Sequence, residues 1–515
     1  MSPLKTWYTS LTNALTISSM EPSESRFGGP GLVSINSMPP ELLSHIFLSV
    51  DTQYCYGIST QSQLYPPYFP LRSNSTPSHL GSVCTYWRKV SLATPALWAS
   101  LHIIIPGFNH SGILERVRTH LERSGSSLLS IILSGDRALS NDDLDLVSEA
   151  VVAAEPFQNL PGHLLVLCEV LRSIFHQADR ITRFSLRIPG QVSTASLLLR
   201  SQHRFVTLSH LSIPLQPQES MRSLFDMLGS LSCLRSLEIF DLEPREVDRT
   251  MASKLAQITR IRIGLATLDQ ICTLLSFCPN VCSARVALCD SRNYHSPPNI
   301  PNLPLLHLHA FHIDIDAFTQ MECVAALFTA MVVSPRLTEL TVTTSPRNHA
   351  EQRAQDVLFP ALQPLLTNLD TFCIEGFHLD RSKFSLLLER MPNLCHLEVV
   401  DIKRWVEEYN RAMFVGLLED LSEWRVTPRL TTLRLSLRNW VGDNLFENML
   451  ESRVGTLHSV YLELVEGTGA RLDLKRLRAL QDQGLAVRVV EVARYFGLKG
   501  KIEIVGYQKE ATVKK

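Results

Sequence analysis

The sequence contains none of the short motifs by which common hydrolases, nucleotide-binding proteins and zinc proteases are recognised. There is no Gly-x-Ser-x-Gly turn to expose a nucleophile, no Gly-x-x-x-x-Gly-Lys-Ser/Thr loop to hold phosphates, and no His-Glu-x-x-His pair of zinc ligands. Because no residue is a candidate nucleophile, we expect a protein without catalytic activity and without a cofactor.

Long hydrophobic runs and an excess of one charge are also missing. The longest apolar window, residues 323–333, is shorter than the roughly 18 residues that a membrane-spanning helix needs. Lysine and arginine total 49, against 50 aspartate and glutamate residues. The overall charge therefore gives no reason to expect nucleic acid or an acidic membrane as the main partner.

Closely spaced cysteine pairs are absent as well. The eleven cysteines are scattered, which favours free thiols in a reducing compartment, and the amino-terminal residues lack the apolar stretch of a secretory signal. We therefore expect the cytosol, the nucleus or both. The tightest set of cysteines lacks Cys-x-x-Cys spacing and comprises Cys272, Cys278, Cys282 and Cys289. We interpret these four residues as buried core cysteines, with a metal site as the less favoured alternative.

The 515 residues are 45% hydrophobic, which is enough for a large core. That length suggests about three domains unless stacked repeats form one continuous core. Residues 1–33 are rich in Ser, Thr, Pro and Gly, and we expect a flexible leader there. The first strong pattern is a predicted helix in which Pro39 precedes a single apolar stripe of Leu42, Leu43, Ile46 and Phe47.

A second short helix is predicted from Leu80, Val83, Cys84 and Trp87, which fall at positions i, i+3, i+4 and i+7. Thr94 and the proline after it fit a helix N-cap and first turn, and a strand is predicted over residues 101–105. Helices this short cannot hold a core alone, so they need support from a partner or from the following domain.

The ordered pattern resembles the F-box-like module common in fungal proteins. Residues 38–47 are similar to its opening half, in which an apolar residue, proline, any residue and glutamate precede paired aliphatic residues, and residues 83–98 are similar to its closing half. The resemblance covers residues 34–105. It implies docking on a Skp-type adaptor of a cullin-RING ubiquitin ligase, with the module core and adaptor face formed by Pro39, Leu42, Leu43, Ile46, Phe47, Val83 and Trp87.

An insertion at residues 51–79 separates the two halves and is about three times the usual connection. Closure entropy grows only with the logarithm of loop length, so tripling a flexible loop costs roughly 1 kcal/mol. Burial of one Phe or Leu contributes about 1.5 to 3 kcal/mol, which offsets that cost. We therefore predict that Ile46 and Trp87 share one small core.

From about Leu128 onward, the unit Leu-x-x-Leu-x-Leu recurs, with Ile, Val, Phe or Ala allowed at each apolar position. Successive units are mostly about 24 to 27 residues apart, and helices are predicted between them at 220–229, 321–333 and 381–389. Residues 303–313 supply one more unit, whose register the sequence leaves open. The central residues of the other units are Ile131, Phe184, Leu211, Leu237, Ile261, Ala284, Leu340, Phe372, Leu397, Leu433 and Val460.

This pattern resembles a degenerate leucine-rich repeat array, although the Asn or Cys that usually follows the strand is mostly absent. The predicted fold class is α/β, a small three-helix F-box-like module followed by an irregular leucine-rich-repeat solenoid with a curved parallel sheet. We expect the solenoid over residues 106–495 and a tail over residues 496–515.

Side chains between the apolar positions of each strand point away from the core. They are mostly arginines in the earlier repeats and glutamates in the later ones, which fits either a solvated face or a bipolar surface that binds a partner of opposite polarity. The target-binding candidates are Arg187, Glu238, Arg262, Arg285, Glu339, Glu398, Arg434 and Tyr461. We interpret a further set of His and Asp residues as solvated strand residues, with a metal site as the alternative. This set is His307, His309, Asp314 and Asp316.

These patterns predict the substrate-recognition subunit of a Skp-cullin-F-box ubiquitin ligase, in which the module binds the adaptor and the repeats bind a target protein. The alternative is a non-catalytic leucine-rich-repeat scaffold without ligase association. Neither nucleic acid nor a membrane is an expected partner.

Overall fold

A computed structural model describes residues 38–56, 76–105, 112–135, 146–147, 150–151, 160–187, 205–214, 227–240, 255–289, 300, 303, 305–316, 319–331, 334–344, 351–377, 380–400, 407–437, 444–465, 472–495 and 498–505. The chain divides into two compact units, Met1–Glu243 with Asp248–Ile258 and Pro244–Val247 with Thr259–Lys515. The predicted leader and most of the predicted insertion lie outside the described residues. Among those described, no helix is both long and apolar enough to cross a bilayer.

The first unit places helices before a set of parallel strands. Its elements are α1 (Pro40–Tyr56), α2 (Thr76–Val83), α3 (Thr85–Leu92), a 3-10 turn (Pro95–Trp98), β1 (Ser100–Ile105), α4 (Gly112–Arg123), β2 (Leu129–Gly135), α5 (Gly162–Phe175), a 3-10 turn (Ala178–Arg180), β3 (Ile181–Arg187), β4 (His210–Pro214) and β5 (Ser236–Phe240). Each strand pairs in parallel with the next one along the chain. The strand predicted at 101–105 is therefore the first strand of this sheet.

The second unit continues the alternation of strands and helices. Its elements are β6 (Arg260–Ala266), α6 (Leu268–Ser276), β7 (Ser283–Leu288), β8 (Ala310–Ile315), α7 (Met321–Ala330), β9 (Glu339–Thr344), α8 (Glu351–Leu362), a 3-10 turn (Gln363–Asn368), β10 (Thr371–Glu375), α9 (Arg381–Glu389), β11 (His396–Val400), α10 (Glu407–Ser422), β12 (Thr432–Leu437), α11 (Leu445–Ser452), β13 (Ser459–Val465), α12 (Leu474–Asp482), β14 (Ala486–Tyr495) and β15 (Leu498–Val505). Strands β6 to β14 pair in parallel, and β15 pairs antiparallel with β14.

The predicted helices between the repeats are present where the structure describes them. The helix predicted at 381–389 has those bounds, and the one predicted at 321–333 ends at residue 330. Of the helix predicted at 220–229, only residues 227–229 are described, and they are helical. An α/β chain of parallel strands and intervening helices is therefore confirmed in both units.

The repeated apolar pattern forms the core, as predicted. All three apolar positions are buried in every unit whose central residue was identified, apart from the first. In the unit whose register was open, Leu308, Phe311 and Ile313 take the three positions and are at most 1% exposed. These buried rows give each strand the inward and outward alternation that positions the candidate surface residues.

The first repeat departs from the predicted register. Leu128 is 60% exposed, and Leu129 takes its place in the core with 0% exposure. The cause is an irregularity in the pairing of β2 with β3 between Leu129 and Ser130, which shifts the register by one residue. The prediction was therefore wrong for Leu128 and correct for Ile131, which is fully buried.

Neighbouring repeats of the second unit are connected by a regular backbone ladder at the starts of their strands. The carbonyl of Thr338, just before β9, accepts hydrogen bonds from the N–H groups of Asp370 at 2.9 Å and Thr371 at 3.0 Å. The residues before β6, β7, β8, β10, β11 and β12 repeat this two-donor pattern, namely Thr259, Cys282, His309, Asp370, Cys395 and Thr431. The repeats are thus tied together although few of them carry the expected Asn or Cys.

The single helix predicted across Leu80 and Trp87 is instead two helices. Cys84, between α2 and α3, has an extended backbone with φ of −157°, and its Sγ accepts a hydrogen bond from the Trp87 N–H at 3.4 Å. An extended residue cannot continue a helix, and this cap satisfies one of the N–H groups at the start of α3. The break leaves Val83 41% exposed, whereas Leu80 and Trp87 stay buried.

The predicted cap at Thr94 also differs in detail. Thr94 does precede the turn Pro95–Trp98, but its side chain makes no capping hydrogen bond there. Its hydroxyl donates instead to the carbonyl of Val90 at 2.7 Å, which links the turn to the end of α3.

Candidate docking surfaces

The helices of the first unit share one small apolar core, which we call the helical cluster. Seven buried side chains form it, namely Leu43, Phe47, Leu80, Trp87, Val90, Leu97 and Trp98. The rings of Phe47 and Trp87 lie 4.9 Å apart at an interplanar angle of 57°, within the range in which aromatic pairs attract. Residues from both sides of the insertion therefore meet. Ile46 is only half-buried, so Phe47 rather than Ile46 is the partner of Trp87.

Hydrogen bonds between the two sides of the insertion add direction to this packing. The hydroxyl of Tyr86 donates to the carbonyl of Met38 at 2.6 Å, and the hydroxyls of Ser44 and Thr94 lie 2.9 Å apart. Both contacts join the region of α1 to the region of α3 or the turn that follows it. The two halves are thus held in one orientation by polar contacts as well as by the apolar core.

The seven residues assigned to the module from the sequence separate into a core set, an outward set and one intermediate residue. Leu43, Phe47 and Trp87 are in the core, and Ile46 is intermediate. The outward set is Pro39, Leu42 and Val83, with Leu42 55% and Val83 41% exposed. Leu92, which was not identified from the sequence, is the last residue of α3 and is also 43% exposed. These exposed apolar side chains are the candidates for contact with another protein.

Trp98 connects the helical cluster to the first repeat. Its indole packs edge-on against the His120 ring at 4.8 Å, and the guanidinium of Arg123 lies 4.5 Å from the indole centroid. Its Nε1 donates to the carbonyl of Ser91 at 2.8 Å. Because His120 and Arg123 belong to α4, the cluster and the first repeat of this unit pack as one body.

In the first unit, Glu238 does not face solvent as the sequence predicted. It is 5% exposed, and Arg187 reaches toward it, with Nη2 of Arg187 4.0 Å from Oε2 of Glu238 and Nε donating to Ser185 Oγ at 3.2 Å.

Burial and the charge of Arg187 together lower the pKa of His102 to about 4, so its imidazole is neutral near pH 7. Its Nε2 lies 3.1 Å from Ser134 Oγ.

In the second unit, Asp314 is 7% exposed and ion-paired, so its interpretation as a solvated strand residue was wrong. Its Oδ2 accepts from Nε and Nη2 of Arg285, both at 3.0 Å, and its Oδ1 accepts from Thr343 and lies 2.8 Å from His312 Nε2. Burial alone would raise the pKa of Asp314. The hydrogen bonds from His312 and Thr343 and the charges beside it outweigh burial and hold that pKa well below its usual range.

Of the remaining candidates, Arg262 is half-buried on β6, and the others lie on β9, β11, β12 and β13 of the second unit. Glu339 is exposed at the start of β9. Glu398 pairs with Arg434 at 3.1 Å, and burial raises the pKa of Glu398 against the opposing effect of Arg434. The guanidinium groups of Arg434 and Arg488 lie 5.0 and 5.9 Å from the ring of Tyr461. Arg488 was not identified from the sequence, although its place between buried valines in β14 follows the same alternation.

Of the four cysteines in the tightest set, Cys272 and Cys278 are buried core residues as predicted, whereas Cys282 and Cys289 are only half-buried. Burial raises the pKa of the Cys272 and Cys278 thiols to about 12, as expected for core cysteines. Cys289 is half-buried, and its Sγ donates to Asp316 Oδ2 at 3.4 Å. Within the described part of the chain, no group of three or more His, Cys, Asp or Glu side chains is arranged to hold a metal ion.

No protein-family model and no curated protein matches this chain, so its function is argued from the surfaces described above.

Proposed function

We propose that this protein is the substrate-recognition subunit of a Skp-cullin-F-box type ubiquitin ligase. The observation that carries the proposal is the helical cluster, in which Phe47 and Trp87, from the two sides of the insertion, pack against each other in one small core. In the F-box-like resemblance these positions form the module. Pro39, Leu42 and Val83, which are exposed, are then the residues that contact the Skp-type adaptor.

The parallel-strand repeats supply the second half of the proposal. Their polar face, defined by the side chains that alternate with the buried apolar ones, binds the target protein. The protein contributes proximity, not chemistry, because it holds a target lysine near the ubiquitin-loaded enzyme and makes the encounter intramolecular. The complex would work in the cytosol or the nucleus.

The contact of Trp98 with α4 supports this division of labour. An adaptor-binding module that packs on the first repeat keeps a fixed orientation relative to the strands that follow in the same unit. A flexible linker at this point would instead dilute the bound target over a larger volume and lower its effective concentration. The packed arrangement therefore favours a target-presenting role for the first unit.

Co-purification with a Skp-type adaptor tests the proposal, and Leu42→Asp is the informative variant. Leu42 is 55% exposed, so this change places a charge on the adaptor face without burying one in the core. Loss of an exposed interface leucine costs about 1 to 2 kcal/mol, and an added charge raises that cost, so adaptor retention should fall at least about tenfold.

Leu128→Asp is the matched control, because Leu128 is 60% exposed and lies outside the helical cluster. It should retain the adaptor like the unmodified protein. If the folded, unmodified protein never retains the adaptor, the ligase assignment fails and the alternative of a repeat scaffold without ligase association takes its place. If both variants lose the adaptor equally, the assignment of Leu42 to the contact fails.

A further inference from the structure

A small apolar pocket, which we call the helix pocket, lies between the neighbouring helices α8 and α9 of the second unit. Phe359 of α8 and Leu387 of α9 form its floor and are 6% and 2% exposed. Pro360 of α8 and Leu386 of α9 form its rim, and Leu386 is 49% exposed. An apolar side chain that entered the helix pocket would therefore contact buried carbon on one side and shield Leu386 from water on the other.

The size of the helix pocket limits what it can hold. Its volume is about 160 Å³. A cavity of about 150 Å³ holds one benzene molecule, so the helix pocket has room for one Leu or Phe side chain. Sites for cofactors and drug-sized ligands are larger, at about 300 to 1,000 Å³. The volume therefore favours a single side chain of another protein over a small-molecule ligand.

Two polar contacts cross from α8 to α9 and bound the helix pocket along the helices. At one end, Nζ of Lys383 donates to Asp356 Oδ1 at 2.5 Å. At the other end, Nη1 of Arg390 donates to Gln363 Oε1 at 3.1 Å. Lys383 and Arg390 are about two helical turns apart, which is roughly 10 Å. An extended segment of about three residues spans that distance.

The two ends of the helix pocket differ in charge. Of the described residues that line it, Asp356 is the only acidic one, and its charge is offset by Lys383. The guanidinium of Arg390 is bonded to the neutral amide of Gln363 and makes no ion pair with a carboxylate of the described chain. A guanidinium has several N–H donors and can hold a carboxylate through two parallel hydrogen bonds. The Arg390 end is therefore suited to a carboxylate from another molecule.

The backbone around Arg390 indicates which kind of carboxylate fits. A carboxylate at a chain terminus is typically held by several converging backbone N–H groups. The Arg390 N–H instead donates to the carbonyl of Leu387 at 3.2 Å, and Leu386 and Leu387 lie inside α9, where N–H groups bond within the helix. Helix α9 thus offers a side-chain guanidinium and no such set of N–H groups, which favours the side chain of Asp or Glu.

We infer that the helix pocket docks a partner protein through a Leu or Phe side chain that has an Asp or Glu two residues away. The apolar side chain fills the space above Phe359 and Leu387, and the carboxylate pairs with Arg390. Residues two apart in an extended segment share a face and are roughly 7 Å apart, a distance that the long Arg390 side chain can bridge. This docking site lies on helices and is separate from the polar face of the strands that binds the target under the proposed function.

Saturation-transfer NMR with unlabelled peptides tests this docking on the full-length protein, because it detects weak binding and identifies the peptide protons that contact the protein. The main probe is Gly-Glu-Ser-Leu-Ser-Glu-Gly with both ends blocked, which places a carboxylate two residues from Leu in either direction. Its Leu methyl protons should receive the strongest saturation. Replacement of Leu by Ser should weaken binding at least about tenfold, and replacement of both Glu by Gln should weaken it about three- to fivefold.

A matched pair of leucine variants places the binding at the helix pocket. Leu386→Asp removes apolar surface from the rim and adds a negative charge near Arg390, so the main probe should no longer be saturated. Leu306→Asp is the control, because Leu306 is also 49% exposed, belongs to the second unit and does not line the helix pocket. This control should bind the main probe like the unmodified protein.

A charge exchange tests the pairing with Arg390. Arg390→Glu should lose the main probe and bind instead the peptide in which Lys replaces both Glu. The control is Arg478→Glu, at an exposed position of α12, which changes the net charge equally and should keep the preference for the main probe. A purely structural role for Arg390 would not reverse the preference for peptide charge.

Four results would overturn the inference. The first three are no saturation of the Leu methyl protons, an equal loss of binding in Leu306→Asp, and an unchanged preference for the main probe in Arg390→Glu. The fourth is strongest binding by a neutral peptide with a free terminal carboxylate two residues after Leu, which would indicate a chain terminus as the ligand. None of these measurements uses the adaptor, so each outcome leaves the ligase assignment to its own co-purification test.

Discussion

The most informative single change in the helical cluster is Phe47→Ala. Phe47 is 0% exposed and its ring lies 4.9 Å from that of Trp87. Removal of a fully buried phenylalanine costs about 3 to 5 kcal/mol through lost burial and the cavity that remains. Whole domains are stable by only about 5 to 15 kcal/mol, so a cluster of seven buried side chains cannot absorb that loss. We expect α1 and α3 to separate in this variant.

Amide hydrogen exchange measures this separation directly. A loss of about 3 to 5 kcal/mol should speed exchange in residues 40–48 and 85–92 by two to four orders of magnitude. The helical cluster contains no strand residue, so the amides of β6 to β14 should keep their protection. Leu42→Ala is the control, since a 55% exposed side chain contributes little to stability and exchange should stay as it is.

A second substitution links the folding of the helical cluster to docking. Phe47→Asp buries a charge in addition to removing the ring, and we expect it to abolish adaptor retention together with the protection of α1. Protection that changes less than about tenfold in Phe47→Ala would refute the reasoning, because Phe47 would then not hold the two halves together.

Three further predictions concern the stability of the repeats. Arg453→Met should destabilise the second unit by about 3 to 5 kcal/mol in chemical denaturation, because Arg453 is 0% exposed and donates to the carbonyls of Leu421, Val426 and Thr427. The control Arg425→Met, at a side chain that is 65% exposed, should change the free energy of unfolding little. Gly376→Ala should lower the free energy of unfolding by at least about 2 kcal/mol, since φ is +78° and the added Cβ would lie 2.5 Å from the Thr344 carbonyl oxygen. The control Gly455→Ala, at φ of +97° with no neighbour within 4 Å of the added Cβ, should cost about 1 kcal/mol. Equal denaturation midpoints for the two variants would contradict this prediction. The unfolded chain takes up a proton at His102 near pH 6.5, whereas the folded chain does so only near pH 4. The free energy of unfolding should therefore fall by up to about 2 kcal/mol between pH 7 and pH 5. A His102→Asn variant whose stability falls equally steeply over this range would contradict the prediction.

The repeated apolar pattern allowed most of the fold to be predicted because burial acts on each position separately. A leucine at the central position of a repeat is buried whatever its neighbours are, so the sequence alone identified Leu340, Leu397 and Leu433 as core residues. Leu128 was misplaced because the irregular register of β2 depends on its pairing with β3, a residue range more than fifty positions away. Local patterns do not carry that information.

The candidate surfaces were predicted less well because they depend on pairs of residues far apart in sequence. Arg285 and Asp314 meet because β7 and β8 are neighbours, and Arg187 reaches Glu238 on a strand two further along the sheet. The alternation of side chains identified these residues as outward-facing. It did not show that two of the carboxylates, Asp314 and Glu238, would be nearly buried by their partners.

Two arginines of the second unit show why residue type and strand position alone do not separate structural from binding roles. Arg453 is fully buried, and its three acceptors are backbone carbonyls, that of Leu421 in α10 and those of Val426 and Thr427 after it. The side chain of Arg285 is 21% exposed, and its acceptor is one carboxylate on an adjacent strand. A guanidinium that is anchored by a side chain and still reaches solvent can add a second anion without loss of the fold. The acceptor and the exposed fraction together therefore place Arg453 in the framework, whereas the side chain of Arg285 stays partly accessible to solvent.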